Sequence, residues 1–146
     1  MNKKTFKSRG FTLIELLVVI AIIGLLSTLS VVALNNAREK ARNARRVADI
    51  KQVQTALELY YNDNNTYPEE SDIDFNGGSI ATSGVTYMAI LPSNPYPRQE
   101  GSTCTDSNYI YDLVNSNSYS IYYCLSENTG SITSGINHAT PSGINN

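Results

Sequence analysis

Hydrophobic positions at the start of the chain form one long uncharged run. From Leu16 to Ala37 no residue is charged. A helix of these 22 residues would be about 33 Å long, which matches the hydrocarbon core of a bilayer. The hydroxyl residues Ser27, Thr28 and Ser30 weaken the hydropathy, but a hydroxyl can bond back to a carbonyl one turn earlier. The run therefore predicts a membrane-spanning helix.

Beyond this run, apolar positions recur at steps of three and four residues, which is the period of a helix. Small alanines come first and permit close approach between helices, whereas the later, larger residues suit a sheet packed on one face. The alanines are Ala37, Ala41, Ala44 and Ala48, and the larger residues are Ile50, Val53, Leu57 and Tyr60. We expect one helix from Thr12 to about Asn62, with the alanines facing other copies and the larger residues in the core. The alternative is an amphipathic helix that packs only within its own domain.

The second half of the chain changes to strand and loop patterns. Residues 109–113 and 119–125 are rich in tyrosine and β-branched residues and predict a hairpin. Residues 69–84 are loop-like, and the proline-dense residues 91–97 predict a fixed surface loop. The tail, residues 130–146, is rich in Ser, Gly and Asn. The expected fold is α+β, with one long N-terminal helix packed by its second half on a small antiparallel sheet.

Charge is strongly segregated along the chain. Cations flank the apolar run on both sides, so the positive-inside rule does not decide topology. They are Lys3, Lys4, Lys7 and Arg9 before the run, and Arg38, Lys40, Arg42, Arg45, Arg46 and Lys51 after it. Residues 52–146 carry ten acidic residues against one cation, Arg98, a net charge of −9. A head this acidic repels nucleic acid, so no direct nucleic-acid binding is expected.

The basic cluster from Arg38 to Arg46 is open to three interpretations. A charge run is by default a solvated helix face. Because the cluster begins where the apolar run ends, it also suits contact with lipid headgroups. A DNA-binding patch is the third interpretation.

Glu15 is the one charge among apolar neighbours near the start of the run. An unpaired carboxylate there costs about 2 to 3 kcal/mol, and the sequence between Phe11 and Arg38 offers no cationic partner. Cleavage before Phe11 would create an α-amino group one helical turn from Glu15, and such a cation could pair with the carboxylate of a neighbouring subunit. A conventional secretory signal peptide is the alternative. Its apolar core is usually shorter, and it has no use for an acid at this point.

Residues 7–24, KSRGFTLIELLVVIAIIG, closely resemble the amino-terminal motif of type IV prepilins and of type II secretion pseudopilins. The resemblance implies that residues 1–10 are a basic leader removed by a prepilin peptidase between Gly10 and Phe11. Phe11 would then become the N-methylated first residue. Residues 11–36 would form the transmembrane and assembly helix, and residues 37–146 the soluble head, including the second half of the long helix. Glu15 would neutralise the amino terminus of an adjacent subunit.

The same resemblance implies partners and location. The expected partners are other copies in a homo-oligomeric filament, the prepilin peptidase and methyltransferase, and the inner-membrane pilus assembly machinery. The protein would cross the membrane once before assembly and lie in an extracellular filament at the cell surface afterwards. Most family pilins carry a proline in the membrane span, whereas the first proline here is Pro68. Gly24 is instead the predicted weak point of the helix.

Cys104 and Cys124 are the two cysteines, and both lie in the second half of the chain. A small exported head in oxidising surroundings is expected to use them as one disulfide. The alternative is two buried free thiols.

Catalytic patterns are missing from the sequence. It has no Cys-x-x-Cys pair, no phosphate-binding glycine loop and one histidine, His138, so neither an enzyme nor a bound cofactor is expected. Pseudopilins similar to this class carry calcium in a distal loop, and Asp106, Asn108 and Asp112 offer oxygen ligands. Their spacing is not that of an EF-hand, and we expect a solvated acidic loop with no metal.

The favoured functional interpretation is a structural subunit of an extracellular type IV pilus, because the loop between the cysteines resembles that of pilins. The alternative is a pseudopilin of a type II secretion or DNA-uptake system, since the loop at Leu91 and Pro92 and the short region before it resemble major pseudopilins. A monomeric membrane-anchored binding protein is the third interpretation.

Overall fold

The computed structural model describes residues 10–98, 104 and 108–145. Its first element is the helix α1 (Leu13–Asn64), which has 52 residues. The prediction of a single helix from Thr12 to about Asn62 is confirmed to within two residues at each end. Asn65 ends the helix in a left-handed conformation (φ 54°), and its N–H donates a 2.8 Å hydrogen bond to the carbonyl of Tyr61. Asparagine tolerates this conformation, which is common at helix ends.

The chain divides into two compact units, residues 1–37 and 38–146. In the first unit, every side chain of residues 10–37 is exposed. The hydroxyls of Ser27, Thr28 and Ser30 donate to the carbonyls of Ile23, Leu25 and Leu26 at 2.7 to 2.8 Å, as predicted. By length and composition this is a helix able to cross a membrane. Its apolar surface needs cover from lipid or from other helices.

The second unit combines residues 38–64 of α1 with two antiparallel sheets. A short 3-10 helix (Glu70–Asp72) precedes a hairpin of β1 (Ile80–Thr82) and β2 (Val85–Met88). The larger sheet has the order β3-β4-β5-β6, and each neighbouring pair is antiparallel. Its strands are β3 (Ile110–Asn115), β4 (Ser118–Leu125), β5 (Gly135–Thr140) and β6 (Gly143–Asn145). The predicted hairpin of residues 109–125 is confirmed as β3 and β4.

The core lies between one face of α1 and the larger sheet. Ile50, Val53 and Leu57 on the helix have no exposed surface, and neither do Tyr119 and Ile121 on β4. Burying each such side chain contributes about 1.5 to 3 kcal/mol. The larger apolar residues of the helix therefore form the core of the subunit, as predicted.

Tyrosines supply much of this core. Five of the ten are buried, and the rings of Tyr67 and Tyr119 meet edge to face with 4.6 Å between centroids. Burial raises the pKa of Tyr123 to about 12, so that phenol stays neutral in the folded head. Packing thus explains these tyrosines, as the sequence analysis expected.

The polar tail forms strands that the sequence analysis did not predict. The inward positions of β5 are Gly135, Asn137 and Ala139, while Ile136 points outward and is exposed. Because small and polar residues occupy the buried face, the usual alternation of apolar residues is missing. Gln54 on α1 also donates a 2.8 Å hydrogen bond to the carbonyl of Thr140, which ties the tail to the helix.

The loop predicted for residues 69–84 is wrong at its end, where β1 begins. Ile80 is buried in the core, and Gly84 has a positive φ of 96° in the turn between β1 and β2. The short strands and the serines and glycines around them hid this hairpin from the sequence pattern.

Candidate functional site

The predicted cleavage point lies just before α1. Gly10 and Phe11 are exposed, and Phe11 retains 84% of its accessible surface. An exposed, non-helical peptide bond is the kind of bond that a peptidase can engage. The predicted leader cations Lys3, Lys4, Lys7 and Arg9 lie outside the described residues.

Glu15 has partners that the sequence analysis overlooked. Its Oε2 atom accepts hydrogen bonds from the backbone N–H of Thr12 at 2.8 Å and from the Thr12 hydroxyl at 2.6 Å. In return, the N–H of Glu15 donates to the Thr12 hydroxyl oxygen at 3.3 Å. This is a capping box, in which the first and fourth residues at a helix start satisfy each other's backbone donors. The statement that no partner exists near Glu15 is therefore corrected, although neither group of Thr12 carries a charge.

The capping box also fixes where the carboxylate lies. Both bonds to Glu15 end on Oε2, so among the described residues Oε1 is left to accept from another donor. The donors of the box belong to Thr12, which would remain after cleavage before Phe11. The pattern Thr-x-x-Glu before an apolar run was visible in the sequence as a helix start signal.

Arg46 corrects the prediction that the basic cluster is a solvated face. Its side chain is fully buried, and its Nε donates to Oδ1 of Asn94 at 2.8 Å. Its Nη1 donates to Oδ1 of Asn43 at 2.7 Å, and its Nη2 donates to the carbonyl of Pro97 at 3.0 Å. A buried guanidinium is retained only where its donors are satisfied. Arg46 therefore joins α1 to the proline-rich loop.

The proline-rich loop is held at its start and at its centre. Leu91 and Asn94 are buried, while Tyr96 and Pro97 stay on the surface. The predicted fixed surface loop is therefore correct in outline, but sequence reasoning missed that Arg46 fixes it. The buried polar residue Asn43 extends this contact, since its Nδ2 donates to the Ser126 hydroxyl at 2.9 Å.

Cys104 and Cys124 form the expected disulfide, with 5.6 Å between their Cα atoms. This excludes the alternative of free thiols. Cys124 lies in β4 opposite Ile136 of β5, so the bond ties the chain before β3 to the middle of the sheet.

Comparisons with known proteins agree with this arrangement. Residues 5–31 match the family model described as the prokaryotic N-terminal methylation motif. By this segment the chain belongs to the type IV pilin and pseudopilin family.

Several relatives of this family member are type II secretion system core proteins G. The Vibrio cholerae protein is 35% identical over 96 residues, which cover 66% of this chain and 58% of that protein. The Escherichia coli protein is 47% identical over 66 residues (45% of this chain, 46% of that protein), and the Pectobacterium carotovorum protein 46% over 63 (43% and 40%). The chain thus matches between about two fifths and three fifths of the length of these relatives. No solved structure matches it.

Asp49 and Tyr109 form a buried polar pair inside the head of this pilin-family chain. The Tyr109 hydroxyl donates to Oδ2 of Asp49 at 3.2 Å, and Nε of Arg45 lies 3.7 Å from the same oxygen. Burial raises the pKa of Asp49, and the bond from Tyr109 and the charge of Arg45 only partly oppose it. Burial, together with the charge of Asp49, raises the pKa of Tyr109.

Asn108, one of the three oxygen ligands considered above, has a structural role in the head. Its Oδ1 accepts from the N–H of Asn94 at 2.8 Å, and its Nδ2 donates to the carbonyl of Phe75 at 2.8 Å. It thus bridges two loops. Asp106 lies outside the described residues, and Asp112 lies on β3. No group of three metal-binding side chains occurs within residues 10–98, 104 and 108–145.

Proposed function

We propose that this chain is a pseudopilin: a non-enzymatic structural subunit that is processed, anchored in a membrane and polymerised within a type II secretion system. The observation that carries the proposal is the reach of the similarity to core protein G. An aligned segment of 96 residues is longer than residues 1–64 together, so it includes part of the head beyond α1. The comparisons therefore favour the pseudopilin alternative over the pilus that the sequence analysis preferred.

The first unit supports a role in assembly. Its apolar residues are exposed along the whole described helix, for example Leu17 at 55% and Leu29 at 61%. In a bilayer this surface is covered by lipid, and in a filament it would be covered by the same helices of other copies. The exposed small residues Ala41, Ala44 and Ala48 continue this surface into the second unit.

Glu15 would select between these two states. Prepilin peptidase cleavage after Gly10 would place a new ammonium group one residue before Thr12. In the filament, the amino terminus of a neighbouring copy would donate to Oε1, while Thr12 holds Oε2. A carboxylate in apolar surroundings gains most from such a charged donor.

A type IV pilus remains the second candidate. The disulfide between Cys104 and Cys124 favours it, because that loop resembles the corresponding loop of pilins. The two candidates share processing and helix-mediated assembly and differ in where the filament lies.

Mass spectrometry of the mature chain tests the shared part. We expect it to begin at N-methylated Phe11. A chain that keeps Met1 would contradict the proposal. A Gly10→Leu variant serves as the control, since it should remain full-length in the membrane fraction.

Deletion of the gene in its host separates the candidates. A pseudopilin deletion should stop secretion of folded exoproteins while leaving long surface fibres in place. Loss of sheared surface fibres, labelled by an antibody to the head in the parent strain, would instead identify a pilus.

A further inference from the structure

A basic groove lies between α1 and the proline-rich loop of the head. Its volume is about 560 Å³, and its cationic walls are Arg42 and Arg45 on the helix and Arg98 on the loop. Arg98 is the only Lys or Arg after residue 51, so the one cation of an otherwise acidic segment is placed here. We call the groove formed by these three arginines and Tyr96 the basic groove.

The basic groove is preformed. Asn94 lines it and is held by Arg46, whose Nε lies 2.8 Å from Oδ1 of Asn94. Arg98 stacks over the ring of Tyr96, with 5.1 Å from its guanidinium carbon to the ring centroid, and that ring is 73% exposed. Arg45 shares its charge with Asp49 at 3.7 Å, yet 65% of its side chain is exposed. Guanidinium groups bind planar carboxylates with two hydrogen bonds. The chemistry of the groove thus fits a carboxylate-rich peptide.

A segment of this type occurs at the opposite end of the same head. Residues 69–74, here called the acidic turn, carry four exposed carboxylates: Glu69, Glu70, Asp72 and Asp74. Two contacts show the separation. Asn43, beside the basic groove, bonds to Ser126 just after β4, whereas Tyr67, just before the acidic turn, donates to the carbonyl of Ser116 just before β4.

The acidic turn cannot reach the basic groove of its own chain. About 20 helical residues separate Asn43 from the end of α1, which is roughly 30 Å. A contact between these surfaces therefore joins two copies. Because the two surfaces differ, the contact is heterologous, and a repeated heterologous contact that does not close builds a filament.

We propose that the basic groove of one copy binds the acidic turn of the next copy. This inference rests on the proposed function, in which copies polymerise. It also answers an electrostatic problem, since heads with a net charge of −9 over residues 52–146 repel one another unless their cations and anions meet. Pairing the groove with the turn sets which end of one head meets which end of another.

Charge reversal in the full-length chain tests the pairing. Arg98→Glu and Asp72→Arg should each lower the amount of chain in purified filaments at least about tenfold, because like charges then face each other. The double variant should restore assembly to within about threefold of the parent, since the pair is re-formed with exchanged signs. Lys51→Glu, an exposed cation outside the groove, is the matched control and should assemble normally.

Cleavage at Phe11, membrane insertion and the near-ultraviolet circular dichroism of the tyrosines are measured on every variant. If the parent chain is neither cleaved nor assembled, the proposed function fails. If the parent assembles and both single variants also assemble, the inference alone is wrong. Loss of assembly in Arg98→Glu but not in Asp72→Arg would mean that the groove binds another anion, such as a lipid phosphate, and would overturn the pairing.

A photo-crosslinking amino acid at Tyr96 gives an independent test that does not depend on charge. We expect crosslinks within filaments to the peptide that contains residues 69–74 of another copy. Crosslinks only to lipid or to other peptides would overturn the proposal.

Discussion

The Nε atom of Arg46 donates a 2.8 Å hydrogen bond to Oδ1 of Asn94, and the Arg46 side chain has no exposed surface. The two residues are 48 positions apart in sequence, so this bond ties the helix of the head directly to its proline-rich loop. It places one member of an apparent surface charge run in the interior. It also supports the wall of the basic groove, because Asn94 lines that groove.

Replacing Arg46 should therefore be costly. Arg46→Ala leaves a cavity and strips donors from Asn94 and the Pro97 carbonyl, so the free energy of unfolding should fall by about 3 kcal/mol or more. Urea denaturation in detergent, followed by tyrosine circular dichroism, measures this. All ten tyrosines lie at or beyond residue 60, so the signal reports only the head. Arg45→Ala, one position earlier and exposed, should cost less than about 1 kcal/mol. Equal losses in both variants would contradict the assigned role of Arg46.

Removing the disulfide should also weaken the head. Cys104 and Cys124 are 20 residues apart, and closing a loop of that length restricts the unfolded chain by about 3 kcal/mol in the loop-entropy model. The double variant Cys104→Ser, Cys124→Ser should lose stability of this order in urea. Dithiothreitol should lower the stability of the parent to the same level and leave the double variant unchanged. A parent insensitive to reduction would show that the bond contributes nothing.

Much of this fold follows from the sequence, because its strongest signals are long and periodic. The single helix, its end at the asparagines and the hairpin of β3 and β4 each rest on a local pattern. β5 was missed because its buried face is built from Gly135, Asn137 and Ala139. Buried polar groups satisfied by hydrogen bonds, such as Asn137 donating to the carbonyl of Thr133 at 3.0 Å, are indistinguishable from surface residues in the sequence.

The candidate sites show the same division. Gly10, Phe11 and Glu15 were identified from a motif, and the capping partner Thr12 was within reach of the same local pattern. The partners of Arg46 were not, since Asn94 and Pro97 follow it by about 50 residues and only the fold brings them together. The acidic turn was likewise visible as charge, but its distance from the basic groove depends on the direction of β4 along α1.

Asp49 should make the stability of the head depend on pH. Its pKa is raised in the folded state by burial, so the folded head holds this proton more tightly than the unfolded chain. Its contribution to the free energy of unfolding is therefore fully present below the unfolded pKa, near pH 4, and is lost as pH rises through the folded pKa. Asp49→Asn keeps an oxygen acceptor for Tyr109 but cannot ionise in this range.

The difference in stability between the parent and Asp49→Asn isolates this group from the other carboxylates. We expect the parent to lose stability relative to the variant as pH is raised from about 4, with a plateau above the folded pKa. Thermal unfolding at a series of pH values measures it. A difference that is constant over the whole range, or one that grows in the opposite direction, would contradict the buried-carboxylate assignment.

Glu15 and Thr12 should separate assembly from helix capping. Glu15→Ala removes both the capping acceptor and the proposed partner of a neighbouring amino terminus. Thr12→Ala removes the hydroxyl but keeps the carboxylate, and the lost cap costs about 1 kcal/mol. If pairing between copies is the main role of Glu15, both variants should be inserted and cleaved at Phe11. Only Glu15→Ala should then be absent from purified filaments, while Thr12→Ala should assemble at a level within a few fold of the parent. Equal failure of both would mean that capping of α1 limits assembly, and normal incorporation of Glu15→Ala would remove the charge pair from the mechanism. Glu15→Gln refines the comparison, since its amide oxygen still accepts from the N–H of Thr12 while its neutral side chain cannot offset an ammonium group. Its exclusion from filaments would assign the effect to charge alone.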